Sequence, residues 1–149
     1  MTNRLLSAAT LAIALALAQA PLAHAADAPA AGAAVKKSRV VIQVSDNDPA
    51  KWNLALNNAS NVQKDLGAAN VEVEIVAYGP GIGMLKAESL AGNRVSEAVA
   101  AGVKVVACEN TMQNQKLAKA DMLNGIGYVN AGVVELMQKQ LEGWAYIRP

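Results

Sequence analysis

Residues 103–113 read VKVVACENTMQ: a β-branched apolar run that ends in Ala107-Cys108 and passes within two residues into a helical pattern. A run this short, set off by Gly102, is a buried strand over 103–107. Asn110 and Gln113 have the spacing of a capping box, which predicts a helix over 110–121. Strand running into helix is half of a βαβ unit, and the same alternation extends in both directions. Upstream, SLAGNRVSEAVAAG (89–102) reads as a helix stopped by Gly102, and GPGIG (79–83) as a glycine turn. VEVEIVAY (71–78) alternates strictly in its first half, which suits a strand near a sheet edge. A long helix precedes it, with Asp48 as N-cap, Pro49 at the first helical position and Gly67 as its stop. Trp52, Ala55, Leu56, Ala59, Val62 and Leu66 share one face of that helix. RVVIQVS (39–45) is the first strand. Downstream, IGYV (126–129) is a weak strand, 131–143 a helix and WAYIRP the last strand.

Five strands separated by helices predict an α/β fold: three layers, α/β/α, around a five-stranded, mostly parallel sheet. Right-handed crossovers place the carboxyl ends of all the strands on one edge, where ligand sites of such sheets lie. Four segments meet there: Asp46-Asn47-Asp48, Gly79 to Gly83, Cys108-Glu109-Asn110 and Asn130-Ala131-Gly132.

Cys108 is the one cysteine of the chain. A helix N-terminus beside it favours the thiolate through free N–H groups and a partial positive charge. Glu109 opposes that effect if its carboxylate turns inward. Two readings stand: a reactive thiol, or a small buried hydrophobe with no chemistry. Tyr78, Gly79, Gly81, Gly83, Asp46, Asn110 and Asn130 are the candidate ligand-binding residues around it. The backbone N–H groups of GPGIG suit a small anion nest, though a tight turn that needs glycine explains them as well. Asp48 is better explained as a cap than as half of a cation site.

Other chemistry is excluded by composition. The only histidine, His24, lies in the leader, so neither a zinc set nor a Cys–His nucleophile can be assembled, and no metal is expected. GPGIG is neither a Walker loop nor G-x-G-x-x-G. The loop after the first strand lacks the Ser/Thr/Gly cradle of a flavin phosphate, and no cofactor is expected.

The N-terminus reads as an export signal. Arg4 precedes the apolar run LLSAATLAIALALA, and Ala23-His24-Ala25 fits the small-residue cleavage pattern, which places the cut before Ala26. The run is short for a membrane span of about 20 apolar residues. The Ala-rich leader points to a bacterial periplasm. Residues 26–38 are Ala- and Pro-rich without periodicity and read as a flexible tail, leaving residues 39–149 as one domain. Of thirteen Lys and Arg, Arg4 leaves with the signal, so twelve face twelve Asp and Glu. A neutral mature chain argues against nucleic acid and against electrostatic membrane binding after cleavage.

The asparagine-bearing first helix, AYGPGI (77–82), the strand-end Ala107-Cys108 and the terminus EGWAYIRP (142–149) together resemble the DsrE/DsrF-like family, most closely its exported branch. The resemblance covers nearly all of 39–149. It implies the three-layer fold above and assembly as a homo-oligomer. The better-known members are cytoplasmic sulfur-relay proteins that carry a persulfide on a strand-end cysteine, which by that match is Cys108. The partner implied is a sulfur donor or acceptor protein, or a small sulfane-sulfur compound. Two functions follow: a thiol-based sulfur carrier, with sulfurtransferase-like activity, or a non-catalytic homo-oligomeric binding module with an inert Cys108. The leader predicts that protein recovered from a periplasmic extract begins at or within a few residues of Ala26; N-terminal sequencing checks this, and intact Met1 in the membrane fraction would refute it.

Overall fold

A computed structural model describes residues 37–149; the expected signal peptide (1–25) and residues 26–36 of the expected tail lie outside the described residues. The elements are β1 (Ser38–Val44), α1 (Pro49–Leu66), β2 (Val71–Ala77), a 3-10 segment (Gly79–Leu85), α2 (Gly92–Ala100), β3 (Lys104–Cys108), α3 (Glu109–Asn114), β4 (Gly127–Val129), α4 (Gly132–Leu141) and β5 (Ala145–Ile147). Ser38, which the sequence reading assigns to the tail, opens β1 opposite Val71. All four pairings are parallel, in the order β4-β3-β2-β1-β5.

The order dictates the layers. From β1 to β4 the chain steps one way across the sheet, so right-handed crossovers put α1, α2 and α3 on one face. The return from β4 to β5 runs the other way and puts α4 alone on the opposite face. The first face carries the larger core: Val40, Ile42 and Val44 of β1, Ile75 of β2 and Val105 of β3 meet Trp52, Leu56, Val95 and Met112 of the helices. Beneath α4 the apolar cluster is Val41, Val76, Val106 and Leu136, edged by Tyr78, Val129 and Trp144.

α1 forms as the sequence predicts. The Asp48 carboxylate accepts from the Ala50 N–H at 2.8 Å, Pro49 opens the helix, and Gly67 ends it at φ +82°. Trp52, Ala55, Leu56 and Ala59 are buried and Val62 partly so, whereas Leu66 is exposed beyond the sheet.

Three expectations need correction. β2 is not near an edge; it lies between β1 and β3. Of the two glutamates in its alternation, Glu72 is exposed, but Glu74 is fully buried under α4 between Lys104 and Lys139. α2 begins at Gly92, three residues late, because the Ser89 hydroxyl accepts from the Ala91 N–H and holds the entry as a turn. α3 runs Glu109–Asn114, with Cys108 itself as the N-cap residue, so the Asn110–Gln113 box does not form. Lys116 adopts φ +56°, which ends that helix long before residue 121.

The Gly79–Leu85 segment folds back on the end of β1. The Gly81 N–H lies 3.1 Å from the carbonyls of both Ser45 and Tyr78. A Cβ at Gly81 would sit 2.3 Å from the Val44 carbonyl oxygen. Backbone cannot yield there as a side chain can, so Gly81→Ala is expected to cost about 2 kcal/mol in urea denaturation. Gly92→Ala, whose Cβ meets only the flexible Leu123 tip at 3.3 Å, should cost less than half as much.

Candidate functional site

Cys108 ends β3 and is 5% exposed. Its extended backbone turns the chain directly into α3, so the sulfur lies at the N-terminus of that helix, beside its first turn. On the other side the chain leaves β4 through Asn130 and Ala131 and starts α4 at Gly132. The Asn110 N–H donates to the Asn130 carbonyl at 3.0 Å, stitching the two strand ends together, and the same carbonyl lies 3.9 Å from the Cys108 Sγ. The N-terminus of a second helix, α4, which begins at Gly132, thus lies beside the sulfur.

The remaining group is the Thr111 hydroxyl. Its oxygen accepts from the Gly79 N–H at 2.9 Å, which leaves its own O–H to donate. Burial pushes the Cys108 thiol up. Hydrogen bonds from the Thr111 hydroxyl and from the N–H groups of Gly132, Thr111 and Asn110 outweigh burial and hold it below the ordinary cysteine value. Glu109 does not oppose this: its carboxylate turns out to Lys119 at 3.6 Å.

The predicted site residues divide into two groups. Gly79, Asn110 and Asn130 surround the thiol through their backbones, and Gly79 adopts φ +54° to present its N–H to Thr111. Its carbonyl also accepts from Gln115 Nε2 at 3.3 Å. Tyr78 packs its ring on Gly132, where a Cβ would lie 3.0 Å from the Tyr78 Cβ; the absence of a side chain lets α4 start this close to the sheet. Gly81 shapes the turn through its contact with β1. Gly83 instead faces Asn47 and the Trp52 ring. Asp46 pairs with Lys51 at 3.1 Å and Arg148 at 3.9 Å, and its carbonyl accepts from the Trp52 indole at 2.7 Å. Neither Gly83 nor Asp46 is among the groups hydrogen-bonded to Cys108.

Sequence reasoning missed Thr111 and Gly132. Thr111 falls at the third position of α3, where a short hydroxyl can reach back to the N-cap residue. Gly132 lies within a segment already assigned to the carboxyl edge, but only the strand order shows that α4 starts over Cys108. A groove of about 470 Å³, lined by Tyr128, Val129, Asn130, Ala131 and Val134 among others, adjoins the carbonyl that covers the thiol. The arrangement places a buried thiol, lowered by neutral hydrogen-bond donors, at the meeting of two helix N-termini.

Known proteins agree with this fold. Residues 38–149 match the family model described as DsrE/DsrF-like. The solved structure of the protein of unknown function MTH1491 from Methanobacterium thermoautotrophicum is 36% identical, with a TM-score of 0.72 over 76% of this chain and 100% of that one. BT1422 of Bacteroides thetaiotaomicron (15% identity, TM-score 0.64, 79% and 100% coverage) and the ychN protein of E. coli (12%, 0.58, 76% and 99%) share the fold. Among curated proteins there is no match. With the family match running from the first residue of β1 to the C-terminus, the chain belongs to the DsrE/DsrF-like family.

Proposed function

We propose that this protein is an exported, periplasmic sulfur carrier that holds sulfane sulfur as a persulfide on Cys108. The observation that carries the reading is the place of Cys108 at the carboxyl end of β3, where it is the N-cap residue of α3 and lies beside the entry to α4 through the Asn130 carbonyl 3.9 Å from its sulfur. Such a position favours a thiolate, which is the nucleophile of sulfur chemistry. In the loading step the Cys108 thiolate attacks the outer sulfur of a persulfide, polysulfide or thiosulfate donor. A new S–S bond forms at Cys108, the donor S–S bond breaks, and the donor leaves as thiolate or sulfite with the bonding pair. An acceptor thiolate then attacks the outer sulfur and regenerates Cys108. No cofactor and no external oxidant or reductant enters either step.

A second reading has its own observation. Cys108 is 5% exposed, as an inert core cysteine would be, which favours a non-catalytic binding module. Reactivity separates the two. If Cys108 carries sulfur, iodoacetamide modifies it in the native protein with a pH midpoint below the roughly 8.5 of free cysteine. The rate falls as pH drops through that folded value. The linked stability has the same sign: it is fully present above the unfolded pKa and lost as pH falls through the lowered one. Thr111→Val removes the hydroxyl donor and should move the midpoint up and slow alkylation at pH 7. After polysulfide or thiosulfate treatment, mass spectrometry should find dithiothreitol-removable sulfur on the Cys108 peptide, absent in Cys108→Ser. Resistance to alkylation until denaturant is added leaves the binding module.

Assembly as a homo-oligomer is part of this proposal. Val133, Val134, Met137 and Leu141 of α4, with Tyr146 of β5, are each more than two-fifths exposed on the thinly covered face of the sheet. Met137→Glu should lower the particle mass at micromolar concentration in sedimentation, and a particle of one-chain mass in the unaltered protein would refute assembly.

A further inference from the structure

Glu74 is an ionisable, fully buried residue remote from the edge that holds the thiol. It lies on the α4 face of β2, with Lys104 of β3 at 3.1 Å, Lys139 of α4 at 3.3 Å and Glu135 of α4 tied to the same lysines at 3.8 and 3.5 Å. Both lysines meet the same oxygen, Oε2; Oε1 is buried without a partner. Lys139 also lies 4.5 Å from the centre of the Trp144 ring. Burial outweighs the two lysines and raises the Glu74 carboxyl above its usual range. Burial pushes Lys139 down, but the Glu74, Glu135 and Glu142 carboxylates more than offset it and raise that ammonium. An ion cluster with an orphaned oxygen is a poor source of net stability, and an apolar residue of similar size often serves as well. What the cluster supplies is position.

The geometry connects it to Cys108. α4 has one buried apolar side chain, Leu136, on a small apolar cluster, and the ions give the helix a second, directional attachment to the sheet. Lys139 and Gly132 are seven residues apart, about 10 Å along a helix. Lys104, opposite Glu74 in the sheet register, and Cys108 are four residues apart, about 13 Å along a strand. The two spans run side by side, so fixing Lys139 over Glu74 also fixes the Asn130–Gly132 entry to α4, whose Asn130 carbonyl lies 3.9 Å from the sulfur. We infer that Glu74 is a positioning residue for Cys108, anchoring α4 so that its N-terminal entry, Asn130 to Gly132, stays seated against the sulfur. The inference rests on the reading of Cys108 as a working thiolate.

Two variants test it, Glu74→Gln and, on the helix side, Lys139→Met, with Lys139→Arg as the conservative control. Amide hydrogen exchange reports the anchor, and the pH profile of iodoacetamide alkylation reports the thiol. Both variants should exchange α4 amides about tenfold faster while α1 is unchanged. In both, the alkylation midpoint should rise, with the rate at pH 7 falling about threefold, roughly half a pKa unit. Lys139→Arg should restore both readouts. If Glu74→Gln does not fold, Lys139→Met decides. An unshifted profile in a folded variant, against a wild type whose midpoint lies below that of free cysteine, overturns the inference alone. A wild-type midpoint equal to that of free cysteine refutes the thiolate reading before any variant is compared. Loss of persulfide loading with both profiles as expected refutes the carrier function and leaves the positioning role standing.

Discussion

Parallel pairing with a single change of direction governs this molecule. Four strands are laid down in one sense, β1 to β4, and the fifth is reached by crossing back over the whole sheet. Because each crossover is right-handed, that reversal puts three helices behind the sheet and one in front. It also makes β3 and β4 neighbours whose following helices, α3 and α4, leave from adjacent strand ends on opposite faces. Cys108 stands at that divergence. The two helix N-termini beside it belong to helices separated in sequence by the loop and strand that run from α3 to α4, and are brought together by the register of Cys108 opposite Val129.

The same reversal explains which parts of the molecule were legible in the sequence. α1 was readable to the residue at its start because its cap, its proline and its terminal glycine are local signals, each acting within a turn. The strand-end placement of Cys108 was readable for a similar reason: a β-branched run has few alternatives. Glu74 was misread because its partners come from β3 and α4, 30 and 65 residues away. In sequence a Val-Glu-Val-Glu alternation is indistinguishable from a half-solvated strand. α3 was overextended because nothing in its local pattern signals the left-handed Lys116. Gly132 acquires meaning only when Tyr78 lies beneath it, a contact 54 residues distant.

Stability and site chemistry draw on the two faces unequally. The face beneath α1, α2 and α3 is a continuous apolar layer, rich in Val, Ile, Met and one Trp, and supplies most of the buried area. The opposite face has a small apolar cluster and a buried ion network. Neutral hydrogen-bond donors at Cys108 fit this division: they favour a thiolate without adding a buried cation to balance.

The sheet also tapers. β1 and β2 each have seven residues and β3 five, while the outermost strands, β4 and β5, have three apiece. A parallel sheet open at both sides leaves a row of unpaired peptide groups on each border, and such rows invite strands from other molecules. Here each border is barely one pleat long, too short to template a further strand. The long, strongly apolar segments, which in isolation are the most prone to cross-β stacking, are enclosed in the interior of the sheet. The protein's colloidal safety is thus written into the lengths of its strands, independently of any charge on its surface.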